Sequence, residues 1–298
     1  MYQNVKVILQ NLSTYMSRQE EILDLARQAR IKLLNVAKRV GGSHIGGSFS
    51  ILDFFVTYYY VLKNRSSNSL NIYYGKDEFL PLELLMSKGH CYLAQLCALD
   101  SVFGLNDYSE NYMTRGSSFF GHPKKNNLNR NFLVSSGSLG QGICYGNGLA
   151  YGHKINDTNK KIISIIGDGE ANEGSVTEAL LFSRSKKLPH IVILDNNDQM
   201  SLGKTSQINS LGYITDRATS YGFKAISANG NNIDELLFVM DAILNISMSK
   251  LCNEGLFINL NTIKGFGVDF MEGDPKWHHR RFKGDEYNIA IQFLGSQT

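Results

Sequence analysis

The chain has 298 residues, 43% of them hydrophobic and 19% charged, a balance that supports a sizeable buried core and excludes a disordered or fibrous chain. A net charge of +3 with no basic block gives no reason to expect nucleic acid or a membrane surface as partner. The four cysteines, Cys91, Cys97, Cys144 and Cys252, form no CxxC pair and read as reduced packing thiols of a cytoplasmic protein.

No leader-like segment opens the chain, and no uninterrupted apolar run approaches membrane-spanning length. In chain order, apolar spacing predicts a long amphipathic helix over about residues 18–40, broken by Gly41-Gly42. Residues 51–62 read as a short apolar helix that contains Asp53 and suits a core better than a bilayer. Residues 63–78 are polar and loop-like. Helix is expected from about residue 90 to 103, and the glycine-rich loop at 137–142 opens another that reaches about residue 153. Residues 161–166 read as a strand running into Gly167-Asp168-Gly169. A helix follows over about 170–187, with Val176, Ala179, Leu180 and Phe182 forming its apolar side, and a strand over 190–195 ends in Asn196-Asn197. Further strands are expected at 225–228 and 256–262, with helix over 233–251 between them. No repeat or low-complexity linker interrupts residues 1–298. One α/β domain is therefore expected, a doubly wound, mainly parallel sheet flanked by helices.

The Gly-Asp-Gly to Asn-Asn segment carries the chemistry. Strand, helix, strand makes a right-handed crossover, so its two strands lie parallel in one sheet. Asp168 and Asn197 then emerge together at the carboxyl ends of the strands, where open α/β sheets bind ligands. A carboxylate and an amide oxygen suit Mg²⁺ or Ca²⁺, whose shell is commonly completed by phosphate oxygens and water. The residues alone thus point to a divalent ion bridging the protein to a diphosphate. Gly-Asp-Gly by itself is a common turn; the flanking strands and the Asn pair raise its specificity.

The segment GDGEANEG…EALLFSRSKKLPHIVILDNN resembles the thiamine diphosphate motif, which opens with GDG and closes with NN. That resemblance implies a metal held by Asp168, Asn197 and the main-chain oxygen of Gln199. Five further elements are similar to the amino-terminal half of transketolases: the histidine loop from Gly42 to Ser50, Ser87-Lys88-Gly89-His90, Gly121-His122-Pro123, the Gly-rich loop from Ser136 to Gly142, and the run from Lys264 to His278. The resemblance covers about residues 20–280 and is to the diphosphate-binding half that some organisms encode as a separate subunit. It implies that His90, Gly137, Ser138, Leu139, Gly167, Asp168, Gly169, Glu170, Asn197 and Lys264 face the cofactor. His44, His90, His122 and His278 would contact diphosphate, substrate oxygens and transferred protons, and Glu173 would join a carboxylate network at a subunit interface.

A lone loop histidine is usually a solvated side chain, and Glu173, Glu178 and Lys264 have equally ordinary surface readings. His153, His190 and His279 have no counterpart in the motifs and read as structural or surface residues. Ser201 stands where the family often has an apolar residue against the thiazolium, and residues 65–76 depart from the pattern of a central sugar-phosphate enzyme. These departures bear on the acceptor sugar rather than on the cofactor. The expected function is ketol transfer between sugar phosphates by a two-chain enzyme, inactive without a second subunit that carries the pyrimidine-binding domain and catalytic glutamate. A heterotetramer, or a homodimer core of this half, is the expected assembly. The alternatives are the alpha chain of a 2-oxo acid dehydrogenase, against which the SKGH, GHP and SGSLGQG elements argue, and a non-catalytic cofactor-binding homologue.

Overall fold

The computed structural model describes residues 2–76, 81–125, 131–209, 212 and 214–296, with side chains from residue 16 onward. Among the described residues five strands, β1 (Leu82–Met86), β2 (Lys161–Gly167), β3 (His190–Asn196), β4 (Lys224–Asn229) and β5 (Leu256–Asn261), form one sheet in the order β1-β2-β3-β5-β4. Every pairing is parallel. Helices cover both faces, which is why β2 is apolar and buried along its whole length rather than alternating.

The principal helices are α1 (Tyr2–Val40), α2 (Ile45–Lys63), α3 (Tyr92–Phe103), α4 (Gln141–Ile155), α5 (Gly174–Ser185), α6 (Ile214–Ser220), α7 (Ile233–Asn245), α8 (Met248–Glu254) and α9 (Glu286–Gly295). α1, α2, α3 and α7 share the larger core with Ile163, Ile165, Ile191, Ile193 and Ile258 on one face of the sheet. α4, α5 and α6 pack on the other face against Ile166, Val192, Leu194 and Phe257. This is the expected doubly wound arrangement.

Several boundaries differ from expectation, each for a packing reason. β1 was not expected; it is a five-residue edge strand beginning just after Pro81, too short to stand out. α2 starts at Ile45 instead of residue 51, because Gly46 and Gly47 are there for close packing and not for a loop. A Cβ on Gly46 would meet the Trp277 carbonyl oxygen at 2.9 Å, and one on Gly47 would meet Cys91 Sγ at 3.0 Å. At 19 residues and mean hydropathy 1.3, α2 is long and apolar enough to cross a membrane, but 94% of that window is buried inside the fold. It is a core helix.

The expected helix over 233–251 divides at Ile246-Ser247, where the Ser247 hydroxyl accepts the Lys250 N–H and caps α8. The expected helix over 170–187 begins as a 3₁₀ turn, Glu170–Asn172, before α5. On α5, Val176, Ala179 and Leu180 are buried as expected, whereas Phe182 faces outward. The polar segment after α2 contains a short helix, Ser69–Tyr73, and its residues 77–78 lie outside the described residues. The four cysteines are free thiols.

Candidate active site

β2 and β3 are neighbours with Gly167 opposite Asp195, so the Gly-Asp-Gly and Asn-Asn turns leave the sheet side by side. Asp168 N–H donates to the Asp195 carbonyl at 3.2 Å, which holds the first turn against the second. The chain turns back at Asp198 (φ 51°), and the Gln199 N–H then donates both to Asp168 Oδ2 at 3.0 Å and to Asn197 Oδ1 at 3.1 Å. Thr205 Oγ1 also donates to Asp168 Oδ2, at 2.8 Å. Carboxylate and amide oxygens therefore converge on one main-chain N–H. The Gln199 carbonyl oxygen lies 3.4 Å from Lys264 Nζ, and its side-chain Oε1 is buried without a hydrogen-bond partner. A hard, all-oxygen donor set of this kind fits Mg²⁺ or Ca²⁺. Burial raises the Asp168 carboxyl above the usual carboxylate range, with the Lys88 ammonium opposing the rise.

Lys88 lies beneath this corner. Its ammonium pairs with Asp195, and both side chains are almost wholly buried. Ser50 Oγ donates to the same carboxylate at 2.6 Å, and Thr262 Oγ1 donates to its other oxygen. Burial alone would lower the Lys88 ammonium, but the Asp195 carboxylate holds it well above its ordinary value. Glu170 is the second buried tie. Its carboxylate accepts Ser87 Oγ at 2.5 Å, Gly140 N–H at 2.9 Å and Gly167 N–H at 3.1 Å. Three separated loops are thereby fixed to one side chain, and Glu170 acts on the site by holding its walls.

The opposite wall is built of histidines. His44 caps the start of α2, His90 sits in the turn Gly89–Cys91, and His122 and His278 come from loops. The His44 ring lies 5.3 Å from His90, 5.8 Å from His122 and 5.5 Å from His278. Burial pushes His44 down to about 3, with His279, His278, His122 and Lys264 adding to the effect. His278 falls to about 4 through burial, Lys264 and Lys88; His90 and His122 are also lowered, chiefly by burial. These imidazoles are neutral near pH 7. Lys264 Nζ donates to His278 Nδ1 at 3.1 Å, which leaves the ring proton on Nε2 and makes that nitrogen a donor. Lys264 is buried in the protein, and its ammonium is lowered to about 8 by burial and then by Lys88. Among the described residues no group of three or more His, Cys, Asp or Glu is arranged to hold a metal ion, so these rings form an acid–base and hydrogen-bonding wall.

Between the two walls lies a cavity of about 570 Å³, the size of a cofactor pocket. His44, His90, His122, His278, Gly167, Asp168, Gly169, Glu170, Asn197, Gln199 and Lys264 all line it, with Leu139 and the exposed Glu173 at its edge. Gly137 packs near His122, whereas Ser138 is exposed and outside the lining. Asp168 also borders a second cavity of about 680 Å³ on the α6 side, which contains none of the histidines. Met200 and Ile208 line the histidine cavity beside Ser201 and supply the apolar contact that Ser201 does not.

The motifs give no role to Lys88, Asp195 or Ser50, although Lys88 lies within the SKGH element; a lysine at an apolar, glycine-flanked strand end was the available signal. His279 is corrected. It is not remote from the site, because its ring lies 4.5 Å from that of His44. His190 is structural, fully buried between Asn147 Oδ1 and Ser164 Oγ, and His153 pairs with Glu83.

Fold and site together describe the diphosphate-binding half of a transketolase-like protein. The family model described as "Dehydrogenase E1 component" matches residues 91–243, just over half of the chain, and the chain belongs to that family. One of the two apulose-4-phosphate transketolase subunits of Phocaeicola vulgatus is 29% identical over 281 residues, covering 92% of this chain and 94% of its own length. The 6-deoxy-6-sulfo-D-fructose transketolase subunit SqwG of Clostridium sp. is 28% identical over 92% of this chain and 98% of its own. The crystal structure of transketolase from Campylobacter jejuni superposes with a TM-score of 0.76 at 22% identity over 93% of this chain. This chain spans 43% of that one. The resemblance read from the motifs, to a separately encoded amino-terminal transketolase subunit, is borne out by these end-to-end matches.

Proposed function

We propose that the chain is the diphosphate-binding subunit of a two-chain, transketolase-type transferase that moves a two-carbon ketol unit between sugar phosphates. The observation that carries this reading is the convergence of Asp168 and Asn197 oxygens on the Gln199 N–H, facing a wall of neutral histidines across one cavity. Asp168, Asn197 and the Gln199 carbonyl would hold Mg²⁺ or Ca²⁺, and the ion would bind the diphosphate of thiamine diphosphate. When bound, that cofactor supplies the electron sink for breaking the bond beside a ketose carbonyl.

The chain's own residues bind, orient and exchange protons. Lys264, charged below about pH 8, faces the metal corner and adds a cation for the diphosphate. His278 donates from Nε2 to a substrate oxygen, its tautomer fixed by Lys264. His44, His90 and His122 are uncharged at neutral pH, so each can accept a proton on one nitrogen while donating from the other. Leu139 and Glu173 lie at the open edge, where a partner subunit bearing the pyrimidine-binding domain and catalytic glutamate would complete the site. A heterotetramer, or a homodimer core of this half, would place that edge at an interface, and the free thiols suit a cytoplasmic setting.

Co-purification of the native complex, followed by a ketol-transfer assay with sugar phosphates, tests the reading. Transfer that requires both chains and is lost in Asp168→Ala is the expected result. The family description also accommodates an alpha chain of a 2-oxo acid dehydrogenase; decarboxylation of pyruvate without ketol transfer would establish that reading instead.

A further inference from the structure

Building on the transketolase-type reading, we propose that His279 and Arg281 form a cationic rim on the cavity mouth that recognises a terminal oxyanion, phosphate or sulfonate, on the sugar substrate. The motif resemblance gives neither residue a role. Ser43 and Arg280 exchange both of their backbone hydrogen bonds, each 3.4 Å, in an antiparallel bridge. Residues flanking such a pair project to the side opposite from it. His44 and His279 accordingly share one side, with rings 4.5 Å apart. Gly42 and Arg281 share the same side, since a Cβ on Gly42 would lie 3.2 Å from Arg281 Cγ.

The two adjacent arginines have different fates. Arg280 is committed to structure: its guanidinium stacks 4.3 Å over Trp277 and forks onto both carboxylate oxygens of Glu286 at 2.8 Å. Arg281 is exposed, and among the described residues its guanidinium has no hydrogen bond and no carboxylate partner. It lies over Gly41-Gly42, whose φ values of 77° and 132° keep that surface free of side chains. It does not cap α1, because the Lys38 and Ala37 carbonyls are taken by the Gly41 and Gly42 N–H groups at 3.3 and 2.9 Å.

Neighbouring acids do not neutralise the rim. Glu286 is held by Arg280, Asp285 accepts from Asn288, and Asp274 accepts the Lys276 N–H. The carboxylates inside the cavity, Asp168 and Glu170, are buried and fully engaged on the far wall. An exposed imidazole beside an unpaired guanidinium suits a tetrahedral oxyanion, which accepts charge-assisted hydrogen bonds from both. His44 sits between this rim and the interior, so a substrate would present its reacting end inward and its anion to the rim. Two relatives are named for substrates carrying a phosphate or a sulfo group, which is the chemistry this rim fits.

The test compares ketol transfer by the two-chain enzyme to D-glyceraldehyde 3-phosphate and to unphosphorylated D-glyceraldehyde. Arg281→Met and His279→Asn should each lower the ratio of kcat/KM for the phosphorylated over the neutral acceptor by about tenfold, chiefly through KM. Arg281→Lys should retain most of the preference. Losses shared equally by both acceptors, or an unchanged ratio, would overturn the rim. A second readout needs no catalysis: the His279 ring protons of the whole chain, loaded with Mg²⁺ and thiamine diphosphate, should shift on adding glycerol 3-phosphate and not glycerol, and Arg281→Met should abolish the shift. No shift, or the same shift with glycerol, would overturn the rim even where ketol transfer is seen. A selective shift without ketol transfer would uphold the rim and remove the transketolase reading.

Discussion

The metal corner and the histidine wall face each other across one cavity, yet they are assembled in opposite ways. The corner comes from two adjacent strand ends within one stretch of chain, and its geometry is set by main-chain bonds from Gly169, Gln199 and Asp168. The wall takes single residues from four distant segments and is held by packing and by Lys264. Their charges differ accordingly. Burial leaves the Asp168 carboxyl raised and in need of a cation, whereas it keeps the histidines uncharged. The lesson is that one desolvated cavity prepares one wall for a metal and the other for proton exchange.

The contrast predicts where damage will be largest. Lys88→Met leaves the Asp195 carboxylate buried without its counter-ion beneath both walls, and should destabilise the fold by roughly 3–5 kcal/mol. Denaturant midpoints measure this, and a Lys88→Met, Asp195→Leu double variant should recover much of the loss if the unpaired charge is its cause.

On the histidine wall the effect moves from stability to rate. In the two-chain enzyme His278→Ala should lower kcat by about a hundredfold while cofactor affinity changes little. An equal loss of cofactor affinity would mean that the wall belongs to the same binding unit as the corner.

Acid should act through the lowered histidines. His44 at about 3 and His190 at about 3 bind fewer protons in the folded chain than unfolded histidines do. Their contribution is complete above the unfolded value and is lost as pH falls from about 6.5 toward 3. For the fully buried His190 the slope is about 1.4 kcal/mol per pH unit. Thermal unfolding between pH 7 and 4 should show this slope, reduced in His190→Asn.

The smallest expected effect is at the second tie. Ser87→Ala removes one of three donors to Glu170 and should cost about 1 kcal/mol, with cofactor affinity falling only slightly. A large loss of affinity would show that Glu170 itself contacts the cofactor.

The same contrast explains what the amino-acid order made legible. Gly-Asp-Gly and Asn-Asn lie on strands whose apolar runs are unmistakable, so the corner could be placed from local pattern and topology alone. The four wall histidines needed motif resemblance, because nothing local distinguishes His44 or His122 from a solvated loop histidine. His279 reads as a bystander for that reason, as its closeness to His44 arises only when residue 280 pairs with residue 43. Lys88 and Asp195 give no local sign because their significance is a pairing between residues 107 positions apart. Gly46 and Gly47 mislead in the other direction: glycines read as loop markers are in fact the close-packed first turn of α2.

The central claim concerns the corner, and a calorimetric titration of the chain with thiamine diphosphate tests it most directly, run with Mg²⁺, with EDTA, and with Asp168→Ala. Binding that requires Mg²⁺ and vanishes in the variant is the predicted result. Equal affinity in all three would contradict the account.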